Sequence, residues 1–225
     1  GLDLLNKKTN KLTKFKRKID DSSSLGDNQI LSLLKDSYEN IWVGTNSGGL
    51  YKFLFNSNQF IQIRSLFNKR NYQTISVLFE DIKNGIWIGA FRDGVYKLNR
   101  TTLEVSDHYS SEDGLADTGI NSFLEDDKRN LWISTDRCLS RLNVVEKTFV
   151  NFNKSDGLCS NFFNRGASFK SKTGRMYFGT NAGLVYFHPD SIVIDSIPPQ
   201  VVVQNISLFN RPDEKLEYEG FISEI

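Results

Sequence analysis

"NIWVGT" at residues 40–45 returns as "GIWIGA" at 85–90, "NLWIST" at 130–135 and "RMYFGT" at 175–180. The aromatic of the phrase, Trp42, Trp87, Trp132 and Tyr177, recurs every 45 residues. The stretch before it keeps the register: "ILSLLKD" (30–36), "ISVLFED" (75–81), "INSFLED" (120–126) and a looser "RGASFKS" (165–171). The stretch after it also returns, as "GGLYKF" (48–53), "DGVYKL" (93–98), "CLSRLN" (138–143) and "GLVYFH" (183–188). One unit of 45 residues has been copied, and a fixed period of this kind marks a solenoid, a propeller or an array.

Each repeat carries Val, Ile, Leu, Phe, Tyr and Trp in short runs punctuated by Asp, Asn, Ser and Gly, which is strand composition with turn punctuation. No apolar stripe at helical spacing is long enough for a helix. The second repeat resolves into "ISVLFED", "IWIGA", "VYKLNR" and "LEVSDHY", four short strands separated by tight turns. Four antiparallel strands per repeat make a propeller blade. The expected fold is therefore all-β: a partial propeller of about four to five blades. The repeat boundaries give the end of a truncated blade at 1–28, blades at 29–73, 74–118 and 119–163, and a last blade with linker at 164–197. Three of the four prolines, Pro189, Pro198 and Pro199, mark that linker. Residues 198–225 are expected to begin an immunoglobulin-like β-sandwich domain.

The repeated residues acquire mechanical roles in such a blade. Trp42, Trp87, Trp132 and Tyr177 fill the wedge between blades. Gly44, Gly89 and Gly179 allow sheets to approach closely, while Gly49, Gly94 and Gly183 supply turns of positive φ. Asp36, Asp81 and Asp126 end the first strand and hold the next turn through an Asx hydrogen bond.

Composition excludes several function classes. Lys and Arg number 28 against 27 Asp and Glu, unlike the markedly basic balance of a nucleic-acid binder. The basic stretch "KKTNKLTKFKRK" (7–18) reads as an exposed outer strand whose charges discourage edge pairing. No apolar run approaches the roughly 20 residues of a membrane span. The opening "GLDLLN" matches the middle of a repeat, so a natural start upstream is expected. Two cysteines and two histidines indicate neither a disulfide scaffold nor a metal cluster. Cys138 and Cys159 are placed in turns at one end of a blade; two free thiols are preferred over a disulfide. No cofactor is expected.

The pattern I-x-x-L-x-x-D-x-x-x-x-[IL]-W-[VI]-G-T-x-x-G-G-L-Y, with "DGL" turns at 113–115 and 156–158, resembles the two-component regulator propeller repeat. The stretch from "GLVYFHPDSI" into "PPQVVVQNISLFN" resembles the passage from a last blade into a Y_Y_Y domain. The resemblance implies the periplasmic sensor region of a hybrid two-component histidine kinase, anchored through a transmembrane segment outside this chain. Such a segment is itself no enzyme, senses an oligosaccharide and controls transcription through distant kinase and regulator modules. Half a ring also implies self-association, as a homodimer.

Propeller ligands bind where the loops joining second to third strands meet the connections between blades. Pattern-breaking residues there are the candidates: Tyr72, Phe91, Arg92, Arg137, Phe162, Asn164 and Arg165. Aromatic faces beside guanidinium and amide groups suit a sugar. No G-x-S-x-G, H-E-x-x-H or G-x-x-x-x-G-K-[ST] pattern occurs, and catalytic residues are not expected. The alternatives are a propeller enzyme acting on polysaccharide, a quinoprotein-like enzyme, and a protein-interaction scaffold.

Overall fold

The computed structural model describes residues 1–64 and 73–193. The candidate Tyr72 and the domain expected to begin at 198–225 lie outside them. A compact unit spans Gly1–Ser191. It opens on a hairpin of β1 (Leu2–Asn6) and β2 (Lys11–Phe15). Three four-stranded antiparallel meanders follow. The first is β3 (Ile30–Lys35), β4 (Ile41–Thr45), β5 (Leu50–Leu54) and β6 (Gln59–Gln62). The second is β7 (Ile75–Glu80), β8 (Ile86–Ala90), β9 (Gly94–Leu98) and β10 (Val105–Tyr109). The third is β11 (Ile120–Glu125), β12 (Asn130–Thr135), β13 (Leu139–Asn143) and β14 (Thr148–Phe152). A three-stranded sheet of β15 (Phe163–Lys170), β16 (Met176–Thr180) and β17 (Gly183–Phe187) ends the unit. First strands of successive sheets lie side by side, β3 against β7, β7 against β11 and β11 against β15, the arrangement of consecutive propeller blades.

Burial explains why the second strand reads as a continuous apolar run and the outer one does not. Every residue of Ile86–Ala90 is buried, because a neighbouring blade covers each face of the sheet. In Val105–Tyr109 burial alternates along the first four residues, as expected for a half-exposed strand. The tryptophans pack forward onto the next blade. Trp42 shares a core with Ile75, Leu78, Ile86 and Ile88, and Trp87 with Leu115, Ile120, Phe123 and Leu131. Trp132 lies 4.8 Å from the Phe187 ring.

The strand-ending aspartates do more than hold a turn. Asp36 Oδ1 accepts from the Tyr38 and Asn40 amides, while Oδ2 accepts from Trp42 Nε1 at 2.9 Å. Asp81 and Asp126 repeat this with Trp87 Nε1 at 2.8 Å and Trp132 Nε1 at 2.9 Å. A cation covers each indole: Lys52 at 5.5 Å, Lys97 at 4.8 Å and Arg141 at 5.9 Å.

The close approach assigned to Gly89 is real. A Cβ there would stand 2.6 Å from Val77 Cγ1 and 2.8 Å from Ile120 Cγ2 of the next blade. The third blade has Ser134 instead, and its hydroxyl bonds Ser122 at 2.6 Å. The "DGL" turns are single-turn 3-10 helices, Ser111–Asp113 and Lys154–Asp156, each closed by a capping box and a left-handed Gly114 or Gly157. Leu115 anchors the first of them in the core. Both cysteines are free, Cys138 buried and Cys159 exposed.

Candidate functional site

At one end of the strands the loops between second and third strands meet the connections between blades, and backbone hydrogen bonds join them into a rim. Each loop first binds the connection that enters its own blade. Asn46 N donates to Gln29 O at 3.0 Å, Phe91 N to Thr74 O at 2.9 Å, Asp136 N to Gly119 O at 2.9 Å and Asn181 N to Phe162 O at 3.2 Å. Two loops also reach the connection into the next blade, through Gly49 N to Gln73 O at 3.0 Å and Arg92 N to Thr118 O at 3.2 Å. A displacement of one loop is therefore felt by its neighbour.

The candidate residues fall into two groups on this rim. Phe91 is exposed, and Arg92, in the left-handed region at φ 61, stacks its guanidinium 5.2 Å from the Phe91 ring. The Arg92 amide holds Thr118, whose neighbour Asp117 pairs with Arg137 Nε at 3.3 Å. Phe91, Arg92 and Arg137 are thus linked across the second and third blades. The second group belongs to the fourth blade. Phe162 is 59% exposed, with its amide on Ser160 Oγ. Asn164 Nδ2 donates to Thr180 O at 3.1 Å, and Arg165 is exposed beside the left-handed Gly166.

A polar cluster next to the first group was not anticipated. Gln73 Nε2 and Tyr96 Oη both donate to Asp93 Oδ2 at 2.7 Å. His108 stacks on Tyr96 at 4.1 Å, and its Nε2 lies 2.7 Å from Asp93 O. A carbonyl can only accept, so that nitrogen carries the proton. Gln73 is 8% exposed, and its Oε1 is buried without a partner. A buried amide oxygen in that state costs about 1–3 kcal/mol until a donor reaches it. The sequence signal was Asp93, a carboxylate at the hairpin position where the first blade has Gly48.

On the first blade, Asp27 accepts from the Ser47 amide at 2.9 Å and hydroxyl at 2.7 Å. Burial raises its pKa, but the Gln29 amide and Ser47 outweigh that and hold it below the ordinary carboxylate value. Among the described residues no group of three His, Cys, Asp or Glu could hold a metal. Among the described residues the rim offers hydrogen-bonding groups and an aromatic face.

The comparisons agree with this architecture. Residues 24–47 and 114–137 match the family described as two component regulator propeller. A histidine kinase P4 of Formosa agariphila is 31% identical over 192 residues, which is 84% of this chain and 14% of that protein. The extracellular domain of a hybrid two component system of B. thetaiotaomicron superposes with a TM-score of 0.67 at 24% identity, over 80% of this chain and 24% of that one. A second such domain from the same organism gives 0.64 at 19% identity, over 79% and 25%. This chain thus spans about a seventh of the kinase and a quarter of each solved domain. Two stretches of this chain, one entering the first complete blade and one entering the third, are thus similar to the two-component regulator propeller repeat.

Proposed function

We propose that this chain is the blade segment of an extracytoplasmic sensor in a hybrid two-component histidine kinase, and that its rim contributes to recognition of an oligosaccharide. The observation that carries the ligand is the exposed Phe91 ring with the Arg92 guanidinium 5.2 Å from it, linked through Thr118 and its neighbour Asp117 to Arg137. The exposed Phe91 ring offers an apolar face for the sugar's C–H groups, and Arg92 donates to ring or hydroxyl oxygens. The histidine kinase relative and the similar extracellular domains support the sensor part of this reading.

Signalling then requires no chemistry in the blades. Ligand binding favours one arrangement of the linked loops, and the sensor's geometry across the membrane shifts by the difference in affinity between arrangements. Phosphoryl transfer and transcriptional control belong to modules outside this segment. The periplasm is the compartment this reading requires; among the described residues no helix is long and apolar enough to cross a membrane.

Calorimetric titration of the extracytoplasmic region with a panel of glycan fragments tests the reading. A binding fragment should lose about tenfold in affinity with Phe91→Ala or Arg92→Ala, the effect of one aromatic or charge-assisted contact. If a fragment binds and neither substitution changes its affinity, this rim is not the site. If no glycan binds, the oligosaccharide reading fails.

A further inference from the structure

The repeats allow one blade interface to be compared with the next at the opposite end of the strands. Between the first and second complete blades, Glu80 Oε2 accepts from the Ser37 amide at 2.7 Å, which latches the two blades together. The side chain of Arg100 then closes the interface. Its Nη1 meets Glu80 Oε1 at 3.3 Å and its guanidinium carbon lies 3.4 Å from the Tyr38 ring centroid. Both side chains of the ion pair are only 15% exposed.

The following interface keeps the latch and lacks the bridge. Glu125 Oε2 accepts from the Ile82 amide at 2.7 Å, the counterpart of Glu80 on Ser37. The residue equivalent to Arg100 can be located from the turns. Asn99 Oδ1 accepts from the Thr101 and Thr102 amides, as Asn143 Oδ1 does from Val145 and Glu146, so Arg100 corresponds to Val144. Likewise Tyr38 and Lys83 are both second residues after an aspartate that caps their amides. Where Arg100 lies across Glu80, Val144 is too short to reach Glu125. A cleft of about 60 Å³ remains, lined by Trp87, Glu125, Leu131 and Val144 among others.

We propose that this cleft is a docking site for an arginine side chain of a partner polypeptide, bound against Glu125 as Arg100 is bound against Glu80. The chemistry of the occupant is set by the neighbouring interface of the same chain. A planar guanidinium pairs with the carboxylate while its faces lie on apolar side chains, a combination an ammonium serves less well. Burial raises the Glu125 carboxyl above its ordinary value, so a cation that reaches it relieves an unfavourable charge. Among the described residues no cation pairs with the Glu125 carboxylate: Lys170, whose charge acts on it most strongly, is held by the Glu125 carbonyl at 2.9 Å and by Asp127 at 2.6 Å. Lys97 is committed to Asp81 at 3.1 Å, and Lys83 and Arg129 stand exposed at its margin. This site is independent of the sugar reading, being at the other end of the strands.

The test is an NMR titration of the isotope-labelled chain, with the Ile82 amide as reporter because it donates to Glu125. Ethylguanidinium should shift that resonance saturably in the millimolar range, the affinity of a single small contact. Glu125→Gln should weaken binding at least fivefold. Val144→Arg, which supplies the missing guanidinium internally, should abolish it, and a dispersed spectrum verifies that the variant is folded. Lys83→Tyr, which restores the aromatic platform, should tighten it several-fold. A capped Gly-Arg-Gly peptide should bind at least as well as ethylguanidinium. A non-saturable shift, or one unchanged in Glu125→Gln and Val144→Arg, overturns the site. Binding of ethylguanidinium without binding of the peptide overturns the polypeptide partner and leaves a small guanidino compound.

Discussion

The indole–carboxylate pair of each blade is a unit in which neither partner is useful alone. In the fourth repeat Ser171 replaces the aspartate and Tyr177 the tryptophan, so acceptor and donor disappear together. Asp81 is 7% exposed and also holds the Gly85 amide at 2.7 Å and Lys97 at 3.1 Å. Removing Trp87 as Trp87→Phe leaves one of these acceptor sites unmet, at a cost of about 1–3 kcal/mol. Asp81→Ser should cost more, because Lys97 and the turn lose their partner as well. A double-mutant cycle by urea denaturation should therefore show coupling of about 0.5–3 kcal/mol; strict additivity would refute the pair as a unit. The coupling should also depend on pH. Burial raises the Asp81 pKa, but the Gly85 amide, Trp87 and Lys97 outweigh it, and the net value is lowered. A lowered folded pKa means the contribution is complete above the unfolded value near 3.9 and is lost as pH falls through the folded one. The identity of these residues was legible from their 45-residue spacing. Their bond to each other was not, since an Asp six residues before a Trp carries no such signal outside this hairpin.

At the level of the blade, the latch between neighbours is a recurring element. It joins the end of one first strand to the turn of the preceding blade at a constant separation of 43 residues, in Ser37 with Glu80, Ile82 with Glu125 and Asp127 with Lys170. The chemistry varies while the place does not: Lys170 Nζ donates to Asp127 Oδ1 at 2.6 Å where the other two latches use a glutamate. Glu80→Ala removes the acceptor for the Ser37 amide and hydroxyl and unpairs Arg100, so a loss of about 1–3 kcal/mol is expected from denaturant unfolding. Glu125→Ala should cost less, since among the described residues that carboxylate accepts from the Ile82 amide alone and no arginine bridges it. Equal losses would show that the bridge adds nothing. Strand positions and turn glycines could be read from composition and period, because each blade obeys the same local rules. The rim residues were only half legible. Phe91, Arg92 and Arg137 break the repeat and are linked in space, whereas Gln73 is an ordinary residue before a strand and is singled out only by the burial of its unpaired oxygen.

Across the whole unit, apolar surface is exposed at both ends of the row of blades. Leu4, Leu5 and Leu12 are exposed on the first hairpin, and Phe169, Leu184 and Tyr186 on the last sheet, where Tyr186 stacks on Tyr177 in place of a cation on an indole. Such faces drive association when nothing covers them. The isolated chain should therefore self-associate in analytical ultracentrifugation, and Leu5→Lys with Leu12→Lys should reduce the association several-fold; a monomer at every concentration would contradict this. The sequence reading reached the same expectation from the repeat count, but the faces themselves depend on which side chains each sheet turns outward. The constant 43-residue offset of the latches has a further consequence, for folding kinetics. Each added blade closes a loop of the same size onto the blade before it, however many already stand in the row. Absolute loop-closure entropy per blade is then fixed, and relative contact order falls as the row lengthens. A propeller built on this plan can grow by duplication without its next blade becoming slower to dock.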